Sequence, residues 1–458
     1  MEQHIAGLTG KQPDDYEVEA FMERLRERTP GEAEFHQAVH EVLGCVMPVI
    51  KDVPQYREAA VLERLVEPDR VIAVRVCWTD DEGRVRVNRA WRVQFNNALG
   101  PYKGGLRFHP SVDLGQLKFL GFEQTFKDAL TGLPIGGAKG GADFDPKGKS
   151  DAEVMRFCQA LMTELFHYIG PDVDVPAGDI GVGEREIGYL FGQYKRLQDR
   201  FDGALTGKST LFGGSAGRVE ATGHGCVAFL RQMMEEHGKT LEGKRVAVSG
   251  AGNVSLHAAE KLIQMEARVV TLSDTSGFVH VSNGMSQDEL NEIRDRKGAG
   301  ESLRDIAGDL DLEFEEDERP WGVECEVALP CATQNELEQE DAARLVKNGC
   351  VAVAEGANMP TTPDAVDTLR EGDVLFAPGK AANAGGVAVS ALEMSQNALG
   401  LPWSRDRVER RLQEIMSAIH DRCVEHGRRD DGTIDYVRGA NVAGFRRVAD
   451  AMVAQGIV

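Results

Sequence analysis

From residue 15 to about residue 67 the apolar positions keep a helical period. Phe35, Val39, Val42, Leu43 and Val46 fall on one face, and Pro48 is expected to limit the pattern. Between Arg70 and Gln94 the period shortens to two. Val71, Ala73 and Arg75 alternate with Ile72, Val74 and Val76, and Val85, Val87 and Val93 continue the pattern across a turn at 81–83. A glycine-rich stretch follows at 100–107, then a predicted helix over 114–130 and a second glycine-rich stretch at 132–141. Residues 150–169 read as a helix, with Ser150 as N-cap and Glu153 in the capping-box position.

Near 203–217 the composition shifts to Gly, Ser and Thr, and a domain boundary is expected there. Beyond it the spacing predicts a helix over 222–237, a strand over 244–249, a helix over 252–265 and a strand over 268–273, which together make a βαβ unit. The short apolar runs 327–329, 351–353 and 374–376 read as buried parallel strands. Val442, Phe445, Val448 and Met452 share one face of a last helix, expected to pack back on the body.

Composition narrows the functional classes. A chain of 458 residues exceeds one ordinary core, so two or three domains are expected. The net charge of -22 argues against nucleic acid or an anionic membrane as partner, because phosphate binding needs clustered Lys and Arg. The eight cysteines sit in apolar surroundings with no C-x-x-C pair, which reads as buried free thiols in a reducing compartment. The N-terminal segment lacks a basic and an apolar region, so no secretory signal is read, and no apolar run approaches a membrane span. A cytoplasmic protein is expected, and no metal site.

Gly250-Ala251-Gly252-Asn253-Val254-Ser255 lies between a predicted strand and a predicted helix. Glycines there permit a tight turn and the approach of backbone N–H groups to a pyrophosphate at the helix N-terminus. Asp274 closes the second strand, where an acidic residue ordinarily accepts from a ribose 2′-hydroxyl and favours NAD. Thr275 and Arg294 lie nearby in sequence and could bind a 2′-phosphate instead; spacing leaves both readings open.

The first half concentrates lysines beside glycines: Lys103 in Tyr-Lys-Gly-Gly, Lys127 on the following helix, and Lys139 in Gly-Gly-Ala-Lys-Gly-Gly. A lysine is ordinarily a solvated surface residue. Held in an apolar, glycine-lined segment it loses solvation, its pKa falls, and it can act as a base near neutral pH. Two further lysines would suit the carboxylates of an acidic substrate. Asp179, in a glycine-rich loop, is a second acid/base candidate, with a turn role as the alternative.

These blocks resemble the glutamate dehydrogenase family, specifically the bacterial hexameric type. The likeness covers residues 92–110, 118–127, 134–146, 174–183, 220–223, 354–360 and 381–387. It implies an α/β fold of two domains flanking a cleft: an N-terminal α/β substrate-binding and oligomerisation domain over 1–205 and a Rossmann-type dinucleotide-binding domain over 206–385. Helices over 386–458 would bridge back to the first. It implies that Lys139 activates the water attacking an imine carbon and that Asp179 exchanges a proton with the substrate nitrogen. Gln124, Lys127 and Gly178 match positions at the α-carboxylate, Lys103 and Ser390 those at the side-chain carboxylate, and Thr206, Arg218 and Asn383 other substrate contacts. Thr222, Asn253 and Asn358 match cofactor contacts, beside Gly250, Gly252 and Val254.

The implied reaction is reversible deamination of L-glutamate to 2-oxoglutarate and ammonium, in a homohexamer. The Ser273-Asp274-Thr275 segment resembles that of NADP-preferring members, with Arg294 at a basic position, so NADP is favoured over NAD. The sequence departs from the family at Ala138, at 215–218 and at Ser255, without losing a group the chemistry needs. Two alternatives are a dehydrogenase for a monocarboxylic amino acid, in which Lys103 would lack a carboxylate to meet, and a non-catalytic sensor, which would not need Lys139 or Asp179.

Overall fold

The computed structural model describes residues 17–458; the readings of the N-terminal segment and of residue 15 lie outside them. The chain divides into two compact units. Of the described residues the first comprises 17–129, 134–209 and 441–458, and the second 130–133 and 210–440. The helices from 386 to 440 therefore group with the second unit, where the sequence reading had separated them from it, and only the last 18 residues return to the first.

The first unit opens with helices α1 (Val18–Arg28), α2 (Ala33–Asp52), α3 (Pro54–Glu58) and α4 (Val61–Leu65). Pro48 lies inside α2 and does not end it. Proline removes one backbone donor, and the buried Val46, Met47, Val49 and Ile50 hold the helix past that gap. Strands β1 (Arg70–Thr79) and β2 (Val85–Asn96) form the expected hairpin, closed where the Asp80 N–H donates to the Arg84 carbonyl at 3.0 Å. Then come β3 (Tyr102–Phe108), α5 (Leu114–Thr131), β4 (Gly136–Ala142), α6 (Asp151–Leu165), β5 (Asp174–Gly178) and α7 (Glu184–Gln198). Ser150 and Glu153 make the capping box at the start of α6.

Both glycine-rich stretches of this half are strands, which composition had hidden. The sheet order is β1-β2-β4-β3-β5, with β3 parallel to β4 and β5. Glycine is a poor strand former. Here Gly140 makes room for Arg92, since a Cβ there would lie 3.0 Å from the Arg92 Cδ. Arg92 is fully buried, spans the sheet from β2 and forms a two-point ion pair with Asp174 of β5 at 2.9 and 2.5 Å. Its Nη1 also donates to the Gly104 carbonyl at 3.0 Å, and Gln94 Nε2 donates to Asp174 at 3.0 Å.

The second unit carries α8 (Ala221–Glu236), β6 (Arg245–Val248), α9 (Asn253–Gln264), β7 (Arg268–Asp274), β8 (Gly277–His280), α10 (Gln287–Gly298), α11 (Leu303–Asp309) and β9 (Glu313–Glu316). It continues with β10 (Val327–Leu329), α12 (Gln339–Lys347), β11 (Ala352–Ala354), α13 (Pro363–Glu371), β12 (Leu375–Ala377), α14 (Gly379–Ala382), α15 (Gly385–Leu399) and α16 (Arg405–Gly427). The last helix, α17 (Tyr436–Gln455), carries the division at residue 441. The seven strands run β12-β11-β10-β6-β7-β8-β9, parallel from β12 to β7, with β8 and β9 antiparallel at the edge. That is a doubly wound sheet of the dinucleotide-binding kind. The six cysteines from Cys158 onward are buried, Cys77 is exposed, and all eight are free thiols. No helix among the described residues is long and apolar enough to cross a membrane.

Candidate active site and nucleotide loop

In the first unit the side chains of one strand face and one helix converge. The period of two puts Lys103, Gly105 and Arg107 on one face of β3. Lys103 and Lys139, on the neighbouring β4, are both buried. Lys139 Nζ lies 2.9 Å from Oδ1 of Asp179, just past the end of β5. Arg107 Nε donates to the other oxygen, Oδ2, at 2.8 Å. Gly105 makes this approach possible: a Cβ there would lie 2.8 Å from both the Asp179 Cβ and the Gly178 carbonyl oxygen. Helix α5 brings Gln124, Lys127 and Asp128, and Gln124 Nε2 donates to Asp128 Oδ1 at 2.5 Å. Thr206 is fixed beside β5, where its N–H donates to the Pro176 carbonyl at 3.0 Å.

Burial sets the charge states. It pushes Lys127 down to about 8, assisted by the ammonium of Lys139 and opposed by Glu123, Asp128 and Asp179. Burial also lowers Lys139, against the pull of Asp179. For Asp179 burial acts the other way, yet Lys139 and Arg107 outweigh it and hold the carboxyl well below its usual range. Asp128 goes up with burial, against Gln124 and the charges of Lys103, Lys127 and Lys139. Arg107 and Asp128 were not singled out from the sequence. The strand period linking Arg107 to Lys103 was a usable signal; nothing comparable pointed to Asp128.

In the second unit Gly250 takes φ +84° in the turn after β6 and donates its N–H to Ser273 Oγ at 2.8 Å. Gly252 is the N-cap of α9, and Gly252 and Asn253 are exposed. Ser255, at the third small position, is buried and donates to the Gly252 carbonyl at 3.0 Å. Val254 is half-buried, and Asn253 Nδ2 donates to the Val219 carbonyl at 2.6 Å. Arg218 and Thr222 approach the start of α15 at Gly386, one turn before the buried Ser390. Asn383, just ahead of that helix, donates to Asn358 Oδ1 at 3.1 Å.

Asp274 has both carboxylate oxygens engaged. Oδ1 accepts from the Ser276 N–H at 2.9 Å and its hydroxyl at 2.6 Å; Oδ2 accepts from Lys297 Nζ at 2.7 Å and the Leu303 N–H at 2.9 Å. These donors outweigh burial and hold its pKa down at about 2. Arg294 instead points at Glu260, with both contacts at 3.4 Å, so the cation beside Asp274 is Lys297. Lys297 follows Arg294 by three positions on α10, too fine an offset for sequence spacing to resolve. Thr275 is exposed in the turn beyond Asp274.

The turn, the open helix start and a charge-compensated aspartate fit a nicotinamide dinucleotide bearing a 2′-phosphate. With its lone pairs filled, Asp274 has little left to offer a ribose hydroxyl, and Lys297 offsets its repulsion of an added phosphate. A surface cavity of about 700 Å³ over the β1–β2 hairpin, lined by Trp78, Arg84, Arg86 and Phe144, holds none of these residues.

Comparison with known proteins gives a consistent result. Residues 213–456 match the Glutamate/Leucine/Phenylalanine/Valine dehydrogenase family, and residues 68–196 match the Glu/Leu/Phe/Val dehydrogenase dimerisation domain. The chain is 54% identical over 444 residues to an NADP-specific glutamate dehydrogenase of Escherichia coli, covering 97% of this chain and 99% of that one. It is 52% identical over 445 residues to an NAD-specific glutamate dehydrogenase of Bacteroides fragilis, covering 96% and 100%. A crystal structure of Plasmodium falciparum glutamate dehydrogenase superposes with a TM-score of 0.94 at 47% identity, covering 98% of each chain.

Proposed function

The chain belongs to the Glu/Leu/Phe/Val dehydrogenase family, and we propose that within it the protein is an NADP-dependent glutamate dehydrogenase. It interconverts L-glutamate with 2-oxoglutarate and ammonium. The observation that carries this reading is the Lys139–Asp179 pair at 2.9 Å, set among Lys103, Lys127 and Arg107. Such a concentration of cations suits a substrate with two carboxylates. Lys127 and Gln124 would hold the α-carboxylate end, beside Gly178, and Lys103 with Ser390 the side-chain carboxylate. Thr206, Arg218 and Asn383 would complete the substrate contacts.

When bound, the cofactor supplies hydride transfer at the substrate α-carbon. Thr222, the Gly250–Val254 turn, Thr275, Lys297 and Asn358 would hold it. Lys139, lowered by burial, takes the proton of the attacking water, and Asp179 passes a proton to or from the substrate nitrogen. Because relatives with NADP-specific and NAD-specific names have similar identity, the cofactor choice rests on Asp274 and Lys297 rather than on overall likeness. We infer in addition a cytoplasmic homohexamer, on family resemblance; light scattering at six times 50.0 kDa would support the assembly.

The test mixes purified protein with 2-oxoglutarate, ammonium and either NADPH or NADH, and follows the absorbance of the reduced cofactor. Oxidation of NADPH in preference to NADH, abolished in Lys139→Ala, is expected. Preference for NADH would overturn the cofactor, and no turnover with either would overturn the activity.

A further inference from the structure

Away from the nucleotide turn, the second unit contains a histidine–carboxylate cluster that the proposed reaction does not use. His257 and Glu260 stand three residues apart on one face of α9, with His257 Nδ1 at 3.1 Å from Glu260 Oε2. His224 projects from α8, and its Nε2 lies 3.8 Å from the same oxygen. The two helices approach closely because position 223 is glycine: a Cβ there would meet the Ala258 nitrogen at 2.5 Å and the Val254 carbonyl at 2.6 Å. His224 is only 6% exposed, and neither of its ring nitrogens finds a hydrogen-bond partner among the described residues. Its Nε2 and Nδ1 face the carboxylates of Glu260 and Glu409 at 3.8 and 3.6 Å, beyond hydrogen-bond length, and a buried imidazole held in that way is costly unless a ligand takes a ring-nitrogen lone pair.

We propose that His224, His257 and Glu260 form a binding site for a divalent first-row transition ion such as Zn²⁺. One ligand atom from each residue lies within 4.8 Å of the others. Metal–nitrogen and metal–oxygen bonds of about 2.0–2.2 Å place tetrahedral ligand atoms about 3.3 Å apart, so the site must contract. His257 and Glu260 are half-buried and can move by rotamer adjustment. Glu409 of α16 supplies the outer partner: its Oε2 lies 3.6 Å from His224 Nδ1, placed on a small approach to accept a hydrogen bond from Nδ1–H and leave the Nε2 lone pair for the metal. Glu409 is itself held by Lys261 at 3.3 Å and by Gln413 at 3.1 Å.

Charge selects the class of ion. Arg294 already balances Glu260, and Lys261 balances Glu409. A hard, oxygen-seeking ion such as Ca²⁺ or Mg²⁺ gains little there, whereas two imidazoles favour Zn²⁺, Co²⁺, Ni²⁺ or Cu²⁺. Binding would clamp α8 to α9, the helix that opens at the glycine turn.

The experiment titrates Co²⁺ into chelator-treated full-length protein, following the visible absorption and the thermal midpoint. One Co²⁺ per chain is expected, with a ligand-field band, no thiolate charge-transfer band, and a raised midpoint. His257→Gln and Glu260→Gln, with near-UV circular dichroism like the parent, should each bind at least tenfold more weakly. Absence of saturable binding below millimolar Co²⁺, a thiolate band, or unchanged affinity in either variant would overturn the site.

Discussion

The carboxylate of Asp179 joins two cations at once, with Lys139 at 2.9 Å on one oxygen and Arg107 at 2.8 Å on the other. Asp179→Asn keeps the shape and removes the proton carrier. The turnover number is expected to fall by about 10²–10⁴-fold, the usual worth of general acid–base catalysis. Asp179 also raises the pKa of Lys139, so without it the acid limb of the residual pH profile should move to lower pH. A limb that stays in place or moves up would separate the two residues.

Lys127 governs a second pH effect. Its pKa is pushed down to about 8, so it is protonated below that pH and neutral above it. A carboxylate binds the protonated form. The KM for glutamate should therefore be flat below about pH 8 and rise as pH passes through it. Initial-rate measurements across that range check this, and Lys127→Met should raise KM and abolish the rise.

At position 105 a single methyl group should be enough to disturb the chemistry. Gly105→Ala would put a Cβ 2.8 Å from that of Asp179 and displace the loop. Misplacement by about an ångström can cost about 10²-fold in rate. Circular dichroism should stay like the parent while kcat falls by about that factor.

Much of this architecture can be read from residue patterns. The β1–β2 hairpin, the Ser150–Glu153 cap and the βαβ unit around Gly250 follow from periodicity and capping chemistry. Strands β3 and β4 do not, because their glycines answer to Arg92, Asp179 and other distant neighbours rather than to local strand preference. Lys103, Lys139 and Asp179 stood out by being polar in glycine-rich surroundings. Lys297 did not, since helix α10 is so uniformly charged that its ion pair with Asp274 is visible only in three dimensions.

That ion pair makes a cofactor prediction. Lys297→Gln leaves Asp274 with an uncompensated charge where a 2′-phosphate would lie. A charge-assisted hydrogen bond is worth about 1.5–3 kcal/mol. The KM for NADPH should rise by about 10–100-fold, with little change for NADH; equal effects on both would remove Lys297 from phosphate binding.

Stability depends on Arg92. Arg92→Met leaves Asp174 buried without its guanidinium partner, a loss of about 3–5 kcal/mol for an uncompensated buried charge. The thermal midpoint, compared at one scan rate, should drop by several degrees. Arg92→Lys should not restore it, because an ammonium cannot reproduce the two-point contact.

The distribution of thiols gives the molecule a natural stopwatch. Cys77 on β1 is open to solvent, whereas Cys158, Cys226, Cys325, Cys331, Cys350 and Cys423 are shut inside. Burial pushes the thiol of Cys158 upward, so even brief access yields little reactive thiolate while the fold is closed. A slow alkylating reagent would therefore mark Cys77 first. Cys45, half-buried, would follow; each later mark at a buried thiol, located by peptide mass, would record which region opened and when, with Cys158 reporting on the first unit and the other five on the second.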